Sequence, residues 1–214
     1  KGSPLRLAGT YLDISSRKAD ERRLHDDARA LEAANRQLRD LAIQDALTGA
    51  FNRRHFDDVC RAALADALRG RPVGLCMLDV DNFKAYNDRY GHQAGDAVLR
   101  AVVQTLKNGL MRATDAVFRL GGEEFGVIFS APSAAASRQF VGRLSAAVHA
   151  LALPHEDSPH RIVTASFGLA WWGGPTRALT PEAMYAMVDE ALYAAKRAGR
   201  DQIVTRCFLL GDGE

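Results

Sequence analysis

The most informative stretch of this 214-residue chain is residues 115–130, which read DAVFRLGGEEFGVIFS. Two short runs of alternating apolar residues flank a glycine pair, Gly121-Gly122: Ala116–Leu120 and Phe125–Phe129. Such alternation predicts β-strands, and two glycines between them predict a tight hairpin because glycine tolerates positive φ. Glu123 and Glu124 follow at the tip, where two carboxylates could bind a divalent cation while an anion approaches the glycines. A plain surface hairpin with solvated acids is the alternative at this point.

A second acidic position lies at the end of the apolar run Val73–Val80, VGLCMLDV. A strand that is apolar throughout is buried on both faces, so Asp79 is expected at the rim of the core, where sheets place ligand sites. Asp79 with Glu123 and Glu124 would supply the oxygen ligands that Mg²⁺ prefers together with substrate phosphates. Two such ions can clamp an in-line attack at phosphorus. The other role open to Asp79 is that of a helix N-cap.

Four segments in chain order resemble the signature segments of one family, the GGDEF-domain diguanylate cyclases. They are DALTGAFNRR at 45–54, LDVDNFKAYNDRYGHQAGD at 78–96, GGEEF at 121–125 and DEALYAAKRAGRDQI at 189–203. The resemblance implies an α+β fold with a mainly antiparallel central sheet flanked by helices, as in nucleotidyl cyclases and polymerase palm domains. That fold, a split βαβ arrangement, is expected to follow a long N-terminal helix.

The same resemblance implies an activity, a cofactor and a set of site residues. The activity would be condensation of two GTP into cyclic di-GMP and two pyrophosphates across a dimer of GGDEF domains. Mg²⁺ or Mn²⁺ is the expected cofactor, with Glu123 and Glu124 as catalytic residues. The expected metal-binding residues are Asp79, Val80, Glu123 and Glu124. The expected GTP-binding residues are Asn82, Phe83, Lys84, Asn87, Asp96, Gly121, Gly122, Lys196 and Arg200.

The chemistry of these GTP-binding residues fits the role that the resemblance gives them. Backbone N–H groups at the helix start near Asn82 can hold a phosphate. A carboxylate such as Asp96 accepts from guanine N1–H and N2–H, a pattern of donors that adenine lacks. Lys196 and Arg200, four residues apart at a helix C-terminus, could reach one phosphate together.

A second ligand site is implied by Arg112-Ala113-Thr114-Asp115, which resembles the RxxD motif of the family's inhibitory product site. Arginine can grip a phosphate or a guanine edge bidentately, and aspartate can accept from guanine. Arg143 on the following helix is the expected secondary contact, with better spacing than Arg138. A solvated ion pair in a loop is the alternative.

Upstream of the family segments, the sequence predicts two further regions. Leu5–Ser15 alternates like a strand and resembles the last strand of a PAS sensor, so residues 1–15 are interpreted as its remnant or as a disordered tail. Residues 16–44 predict a helix in which Leu24, Leu31 and Leu38 repeat every seven residues, with Asn35 at the alternate core position. This pattern favours a parallel coiled-coil homodimer over a helix packed on its own domain. Residues 45–208 then form the expected GGDEF domain.

Composition narrows the function classes only loosely. A net charge of +2 does not suggest general binding to nucleic acid or membranes. Three scattered cysteines indicate a reducing compartment, and a cytoplasmic location is expected. Two alternatives remain: a silent GGDEF module that binds GTP or cyclic di-GMP as a sensor, and a dimerising signal relay. The intact signature argues against both. Departures from the family pattern are mild. Glu123 stands where the family signature has Asp, Ala50 stands where a larger apolar residue is usual, and Asp201 stands where Asn is frequent.

Overall fold

The structure is a computed structural model that describes residues 18, 23–32, 34, 42–173 and 180–208. The chain divides into two compact units, Lys1–Ala42 and Ile43–Glu214. In the first unit, residues 18, 23–32 and 34 are helical, and we call residues 23–32 helix α1. Leu24 and Leu31 on α1 are 69% and 64% exposed. The predicted strand at residues 5–15 and the third heptad leucine, Leu38, lie outside the described residues.

The second unit alternates helices and strands. Its elements are α2 (Arg53–Leu68), β1 (Val73–Val80), α3 (Phe83–Tyr90), α4 (His92–Gly109), β2 (Ala116–Gly121), β3 (Glu124–Phe129), α5 (Ala134–His149), β4 (Ala165–Trp172), α6 (Pro181–Arg197) and β5 (Ile203–Phe208). Side-chain oxygens cap the starts of three helices: Asn52 for α2, Ser133 for α5 and Thr180 for α6. Each accepts from a backbone N–H three residues on, which satisfies a donor that the first helical turn leaves free.

The five strands form one sheet in the order β2-β3-β1-β4-β5. The pairings β2–β3, β3–β1 and β1–β4 are antiparallel, and β4–β5 is parallel. The prediction of a mainly antiparallel sheet flanked by helices is therefore confirmed. β1 lies at the centre and is buried at every position except Asp79, which is half-buried. The acidic residue thus marks the point where the central strand reaches the rim of the sheet.

Helices cover both faces of the sheet, and the alternation along β1 assigns its side chains to the two layers. Leu75 and Met77 pack with residues of α2 and α6. Cys76 and Leu78 pack on the opposite side with residues of α3, α4 and α5. Because successive strand side chains point to opposite faces, an apolar strand is required wherever both faces are covered.

Two predicted boundaries differ from the structure. The alternation of Val163, Ala165 and Phe167 predicts a strand over Arg161–Trp172, but the strand begins at Ala165, and Arg161 adopts a left-handed φ of 59° in the preceding turn. The amphipathic pattern of Ala94–Leu110 predicts a helix that starts at Ala94, whereas α4 begins two residues earlier, at His92, directly after Gly91 ends α3. Within the described part of the chain, no helix combines the length and apolar character needed to span a membrane.

Candidate active site

The β2–β3 hairpin carries the paired glutamates, as the sequence predicts. Gly121 pairs with Glu124, which leaves a two-residue turn of Gly122 and Glu123. Gly122 has a φ of 50°, a left-handed conformation that favours glycine. A β-carbon built on either glycine would meet no atom within 4 Å, so neither is needed for close packing inside the protein. The surface over the turn is therefore open to a bulky ligand.

An arginine that the sequence did not single out holds this turn in place. Arg119 donates from Nε and Nη2 to the carbonyl of Gly122, at 3.0 and 2.8 Å. Its Nη1 donates at 3.1 Å to the carboxylate of Asp45, which also accepts from the backbone N–H and hydroxyl of Thr48. Burial opposes ionisation of Asp45, but these Thr48 and Arg119 contacts lower its pKa. The start of the second unit is thus joined to the hairpin turn through one guanidinium.

The acidic edge, made of Asp79, Glu123 and Glu124, lies where β1 ends and the antiparallel β3 begins. Asp79 on β1 lies directly opposite Glu124 on β3, and the N–H of Val80 donates to the carbonyl of Glu123 at 3.3 Å. Directly opposed residues of an antiparallel pair have their side chains on the same face. The structure therefore brings together two of the carboxylates predicted from separate segments, with the third next to them on the turn.

The charge on Asp79 is only partly compensated. Its carboxylate forms an ion pair with Lys196 of α6, with Nζ 2.8 Å from the carboxylate oxygen. Burial raises the pKa of Asp79 to about 6, Lys196 opposes that shift, and the negative charges of Glu123 and Glu124 add to it. The pKa of Asp79 thus stays raised although a lysine lies at contact distance, because the cost of burying the carboxylate outweighs the ion pair.

The residues of the acidic edge are of the types that bind a divalent cation, but their side chains do not converge on one point. No three His, Cys, Asp or Glu side chains of the described residues are positioned together to hold a metal ion. Like-charged carboxylates repel, and the ammonium of Lys196 already occupies one side of Asp79. The carboxylates of Asp79, Glu123 and Glu124 outnumber the one ammonium of Lys196, and they are the oxygen donors that Mg²⁺ and Mn²⁺ prefer. The donor set therefore fits such an ion.

Immediately after β1 the chain makes the turn that was predicted to hold phosphate. Asn82 is left-handed, with a φ of 55°, and its side chain makes no capping hydrogen bond to α3. Phe83 is buried and Lys84 is exposed. Because the first N–H groups of a helix have no intrahelical acceptor, an uncapped start such as this leaves donors for an anion.

Asp81, one residue earlier, was not assigned a role, and the structure gives it a positioning role. Its side chain is 2% exposed and accepts from Thr164 Oγ1 at 2.8 Å and Ser166 Oγ at 2.6 Å. It also accepts from the backbone N–H of Asp201 at 3.1 Å. One buried carboxylate thereby connects the end of β1, the start of β4 and the α6–β5 turn. No local pattern marks this role.

The α6–β5 turn carries Arg200, one of the predicted phosphate contacts. Arg200 and Asp201 both have positive φ, 67° and 45°, a conformation that costs Arg more than Asp. The backbone of Arg200 donates to the carbonyl of Ala195 at 3.1 Å, and that of Asp201 donates to Asp81. Arg200 is exposed, whereas Lys196 is paired with Asp79. The structure does not bring Lys196 and Arg200 onto one acceptor.

Asn87 and Asp96, the predicted guanine contacts, lie on α3 and α4, which are joined by Gly91. The Oδ1 atom of Asn87 is buried and has no hydrogen-bond partner among the described residues. A buried unpaired amide oxygen is costly unless a ligand or water satisfies it. A β-carbon at Gly95 would lie 1.9 Å from this oxygen and 3.0 Å from the ring of Phe83. Only a residue without a β-carbon at position 95 leaves room for the Asn87 amide in this position.

The three residues of the predicted inhibitory site line one cavity of about 170 Å³. The carboxylate of Asp115 accepts from the backbone N–H groups of Met111 and Arg112, at 3.1 and 3.0 Å. Arg143 lies over the ring of Phe140 and donates to the sulfur of Met111. Asp115 is thus committed to shaping the turn, while the exposed Arg112 and Arg143 frame the cavity.

A larger cavity of about 360 Å³ lies between α2 and α6, away from the acidic edge. Its lining residue Arg53 donates to Asp57 at 3.3 Å and to the hydroxyl of Tyr185 at 3.2 Å. The acidic edge is the better candidate for a ligand site, because the uncapped start of α3 beside it leaves N–H donors free, whereas in this cavity Arg53 is already paired with Asp57.

Comparison with known proteins agrees with this geometry. The family model described as "Diguanylate cyclase, GGDEF domain" matches residues 42–202. Diguanylate cyclase DgcP of Pseudomonas aeruginosa is 38% identical over 181 residues, which cover 84% of this chain and 26% of that protein. Diguanylate cyclase VdcA of Vibrio cholerae is 36% identical over 166 residues, 76% of this chain and 47% of that protein. The chain therefore spans between about a quarter and a half of these relatives.

Among solved structures, the coiled coil and GGDEF domain of DgcB from Caulobacter crescentus, in complex with c-di-GMP, is similar to this chain. The TM-score is 0.75 at 29% sequence identity, covering 91% of this chain and 100% of that one. The isolated GGDEF domain of the same protein, also with c-di-GMP, has a TM-score of 0.68 at 32% identity, covering 77% of this chain and 93% of that one.

Proposed function

The chain belongs to the GGDEF family of diguanylate cyclases, and we propose that it condenses two GTP into cyclic di-GMP and two pyrophosphates. The observation that carries the proposal is the acidic edge, where Asp79 and Glu124 lie opposite each other beneath an open glycine turn. Incubation of the protein with GTP and Mg²⁺, followed by chromatography, tests it. Bound GTP without any cyclic di-GMP would favour the silent sensor instead.

The metal would be held by the carboxylates of Asp79, Glu123 and Glu124 together with the backbone of Val80. When bound, Mg²⁺ or Mn²⁺ supplies compensation for the charge that develops on the reacting phosphate. With a cation beside Asp79, Lys196 is no longer needed as its counterion. We infer that the ammonium then turns to the triphosphate, where Arg200 is the second cation.

The remaining residues bind and orient the nucleotide. The N–H groups at the start of α3, around Asn82 and Phe83, face the phosphates, with Lys84 adding positive charge. Asn87 and Asp96 read the guanine edge, and the glycine turn leaves room for the nucleotide backbone. One glutamate, Glu123 or Glu124, helps to deprotonate the 3′-hydroxyl.

The reaction needs two protomers, because the GGDEF domain of each protomer holds one GTP. The 3′-hydroxyl of one GTP attacks the α-phosphorus of the other and pyrophosphate leaves; a second attack in the reverse direction closes the ring. Most of the rate enhancement then comes from placing two bound nucleotides face to face. A single protomer has no second bound nucleotide to react with and should be inactive.

Replacing Gly95 by Ala is expected to raise the KM for GTP at least about tenfold while the protein stays folded. The new methyl group would occupy the position of Asn87 Oδ1, which lies 1.9 Å from the built β-carbon, and a side-chain amide can swing away at little cost to the fold. Losing one or two hydrogen bonds to guanine corresponds to a change of about that size. Steady-state kinetics and a thermal melt measure both quantities.

Gly142→Ala is the matched control for Gly95→Ala, because a β-carbon on this other helical glycine would meet nothing within 4 Å. Its KM should equal that of the wild type. An unchanged KM in Gly95→Ala as well would place guanine elsewhere.

We propose that α1 joins two protomers into a dimer. Leu24 and Leu31 lie one heptad apart and are 69% and 64% exposed, as expected for core positions that await a second helix. Replacing Leu31 by Asp should weaken the dimer and lower activity per mole steeply at low protein concentration, because a charge at a core position must be desolvated.

Sedimentation velocity and activity measured over a dilution series test the α1 dimer. Ala30→Asp, one position away from the seam, is the control and should leave both properties unchanged. If Leu31→Asp sediments like the wild type, α1 does not mediate the dimer.

We further propose product inhibition at the cavity framed by Arg112, Asp115 and Arg143. Because Asp115 caps its own turn, Arg112→Ala is the cleaner test of this site. It should weaken inhibition by cyclic di-GMP about ten- to a hundredfold through loss of a charge-assisted bidentate contact. Initial rates at low product should change little, since Arg112 is not proposed to contact GTP.

Progress curves with added cyclic di-GMP measure this inhibition. Arg138→Ala is the control, because Arg138 is exposed on the same helix as Arg143 but does not line the cavity. Equal slowing of the wild type and Arg112→Ala would show that the inhibitory site lies elsewhere.

A further inference from the structure

A buried histidine contacts the turn at Asn82 that precedes α3, which we call the phosphate turn. His155 is 0% exposed, and its Nε2 lies 3.2 Å from the carbonyl oxygen of Asn82. That carbonyl also accepts the first helical hydrogen bond of α3, from the N–H of Tyr86 at 3.1 Å. Since a carbonyl can only accept, Nε2 must carry the proton in this contact.

The loop that carries His155 is closed on itself and fastened to α3. Val163 N–H donates to the carbonyl of Leu153 at 2.8 Å, and His155 N–H donates to that of Arg161 at 2.9 Å. At its outer rim, Arg89 of α3 forms ion pairs with Glu156 and Asp157. The imidazole packs against the contacting rings of Tyr86 and Tyr90, with centroids 5.2 and 6.4 Å away. The surface ion pairs hold the loop against α3, and His155 is the residue through which the loop contacts Asn82.

Packing alone does not explain a histidine at this position. Its Nδ1 is buried without a hydrogen-bond partner among the described residues. A half-satisfied buried polar ring is less favourable than an apolar ring of similar size in the same aromatic pocket. What the imidazole adds is the donor to Asn82, whose φ of 55° lies in the left-handed region, a conformation that costs Asn less than most residues but more than glycine.

We propose that His155 is a positioning residue for the nucleotide triphosphate: its Nε2–H holds Asn82 in the left-handed conformation that aims the first N–H groups of α3 at the phosphates. The inference rests on the proposed function, since it concerns the same phosphate turn. It predicts that the donor matters for triphosphate affinity more than for folding.

The test compares two substitutions at one position. Glutamine can place an amide N–H where Nε2–H lies, and methionine fills similar space without a donor. Affinity is measured by calorimetric titration with 3′-deoxy-GTP and Mg²⁺, because this nucleotide lacks the attacking hydroxyl, and with GMP as a probe of the guanine pocket. His155→Met should bind 3′-deoxy-GTP about tenfold more weakly and GMP unchanged, whereas His155→Gln should stay within about threefold of the wild type.

A double-mutant cycle keeps the inference testable if the fold is also disturbed. Asn82→Gly removes the conformational penalty, since glycine adopts positive φ freely. In that background, adding His155→Met should weaken 3′-deoxy-GTP binding less than about threefold. Equal binding by wild type and His155→Met, equal losses in the Met and Gln variants, or an undiminished loss in the Asn82→Gly background would each overturn the inference. Wild-type protein that binds no 3′-deoxy-GTP would instead overturn the proposed function.

Discussion

Replacing Glu124 by Ala is expected to abolish synthesis of cyclic di-GMP and leave the fold intact. Glu124 lies opposite Asp79 at the acidic edge, and its loss removes a carboxylate from the set proposed to hold the metal. Losing that compensation at the reacting phosphate should cost several kcal/mol of transition-state stabilisation, or at least about a hundredfold in turnover. The half-buried side chain accepts no hydrogen bond from a neighbour on the described part of the chain, so the thermal midpoint should change little.

Product chromatography over a range of protein concentrations measures this effect. Glu190→Ala, which removes an exposed glutamate of α6, is the matched control and should keep full activity. Calorimetry with 3′-deoxy-GTP separates binding from chemistry, because the guanine contacts of Glu124→Ala remain. Turnover by this variant within a few-fold of the wild type would exclude Glu124 from the reaction.

Replacing Asp79 by Asn is expected to have opposite effects on activity and stability. Activity should fall at least about a hundredfold, because the substitution removes a carboxylate proposed to hold the metal. The metal-free protein should nevertheless be more stable near pH 7.5. Burial and the charges of Glu123 and Glu124 raise the pKa of Asp79 to about 6 from its ordinary 3.8, so ionised Asp79 is unfavourable in the folded state.

The pH dependence of this stability difference follows from the direction of the pKa shift. Between pH 3.8 and about 6 the folded protein holds a proton that the unfolded chain releases, so wild-type stability falls as pH rises through that window. Above it, the penalty is about 1–3 kcal/mol once partial solvent contact is allowed for, or roughly 3–8 °C in the thermal midpoint. Asp79→Asn removes the penalty.

Melting curves at pH 4 and pH 7.5, recorded without divalent cation, measure the difference. The midpoints of Asp79→Asn and wild type should be close at pH 4 and separate at pH 7.5. Asp88→Asn, at an exposed aspartate on α3, should track the wild type at both. A stability gap that does not change with pH would contradict the raised pKa.

In wild type, Mg²⁺ affinity should also fall as pH drops below about 6, because protons compete with the metal for Asp79.

Local patterns were sufficient for the framework of the second unit. The unbroken apolar run of β1 predicts a central buried strand, and the structure confirms its bounds as Val73–Val80. The two short apolar runs around Gly121-Gly122 predict the hairpin, because strand-forming residues flank two glycines that can make a tight turn. The position of Asp79 at the end of β1 follows from the same reasoning.

The contacts that fix the site depend on pairs far apart in the chain. Arg119 meets Asp45 across 74 residues, Asp81 meets Ser166 across 85, and His155 meets Asn82 across 73. No periodicity or motif records such pairs, since they arise only when the strand order β2-β3-β1-β4-β5 places the ends of distant segments at one rim. The sequence by itself therefore determined which residues could carry the chemistry, through residue type and local pattern. Only the tertiary structure decided which groups hold them in position, because hydrogen bonds and ion pairs depend on distance in space.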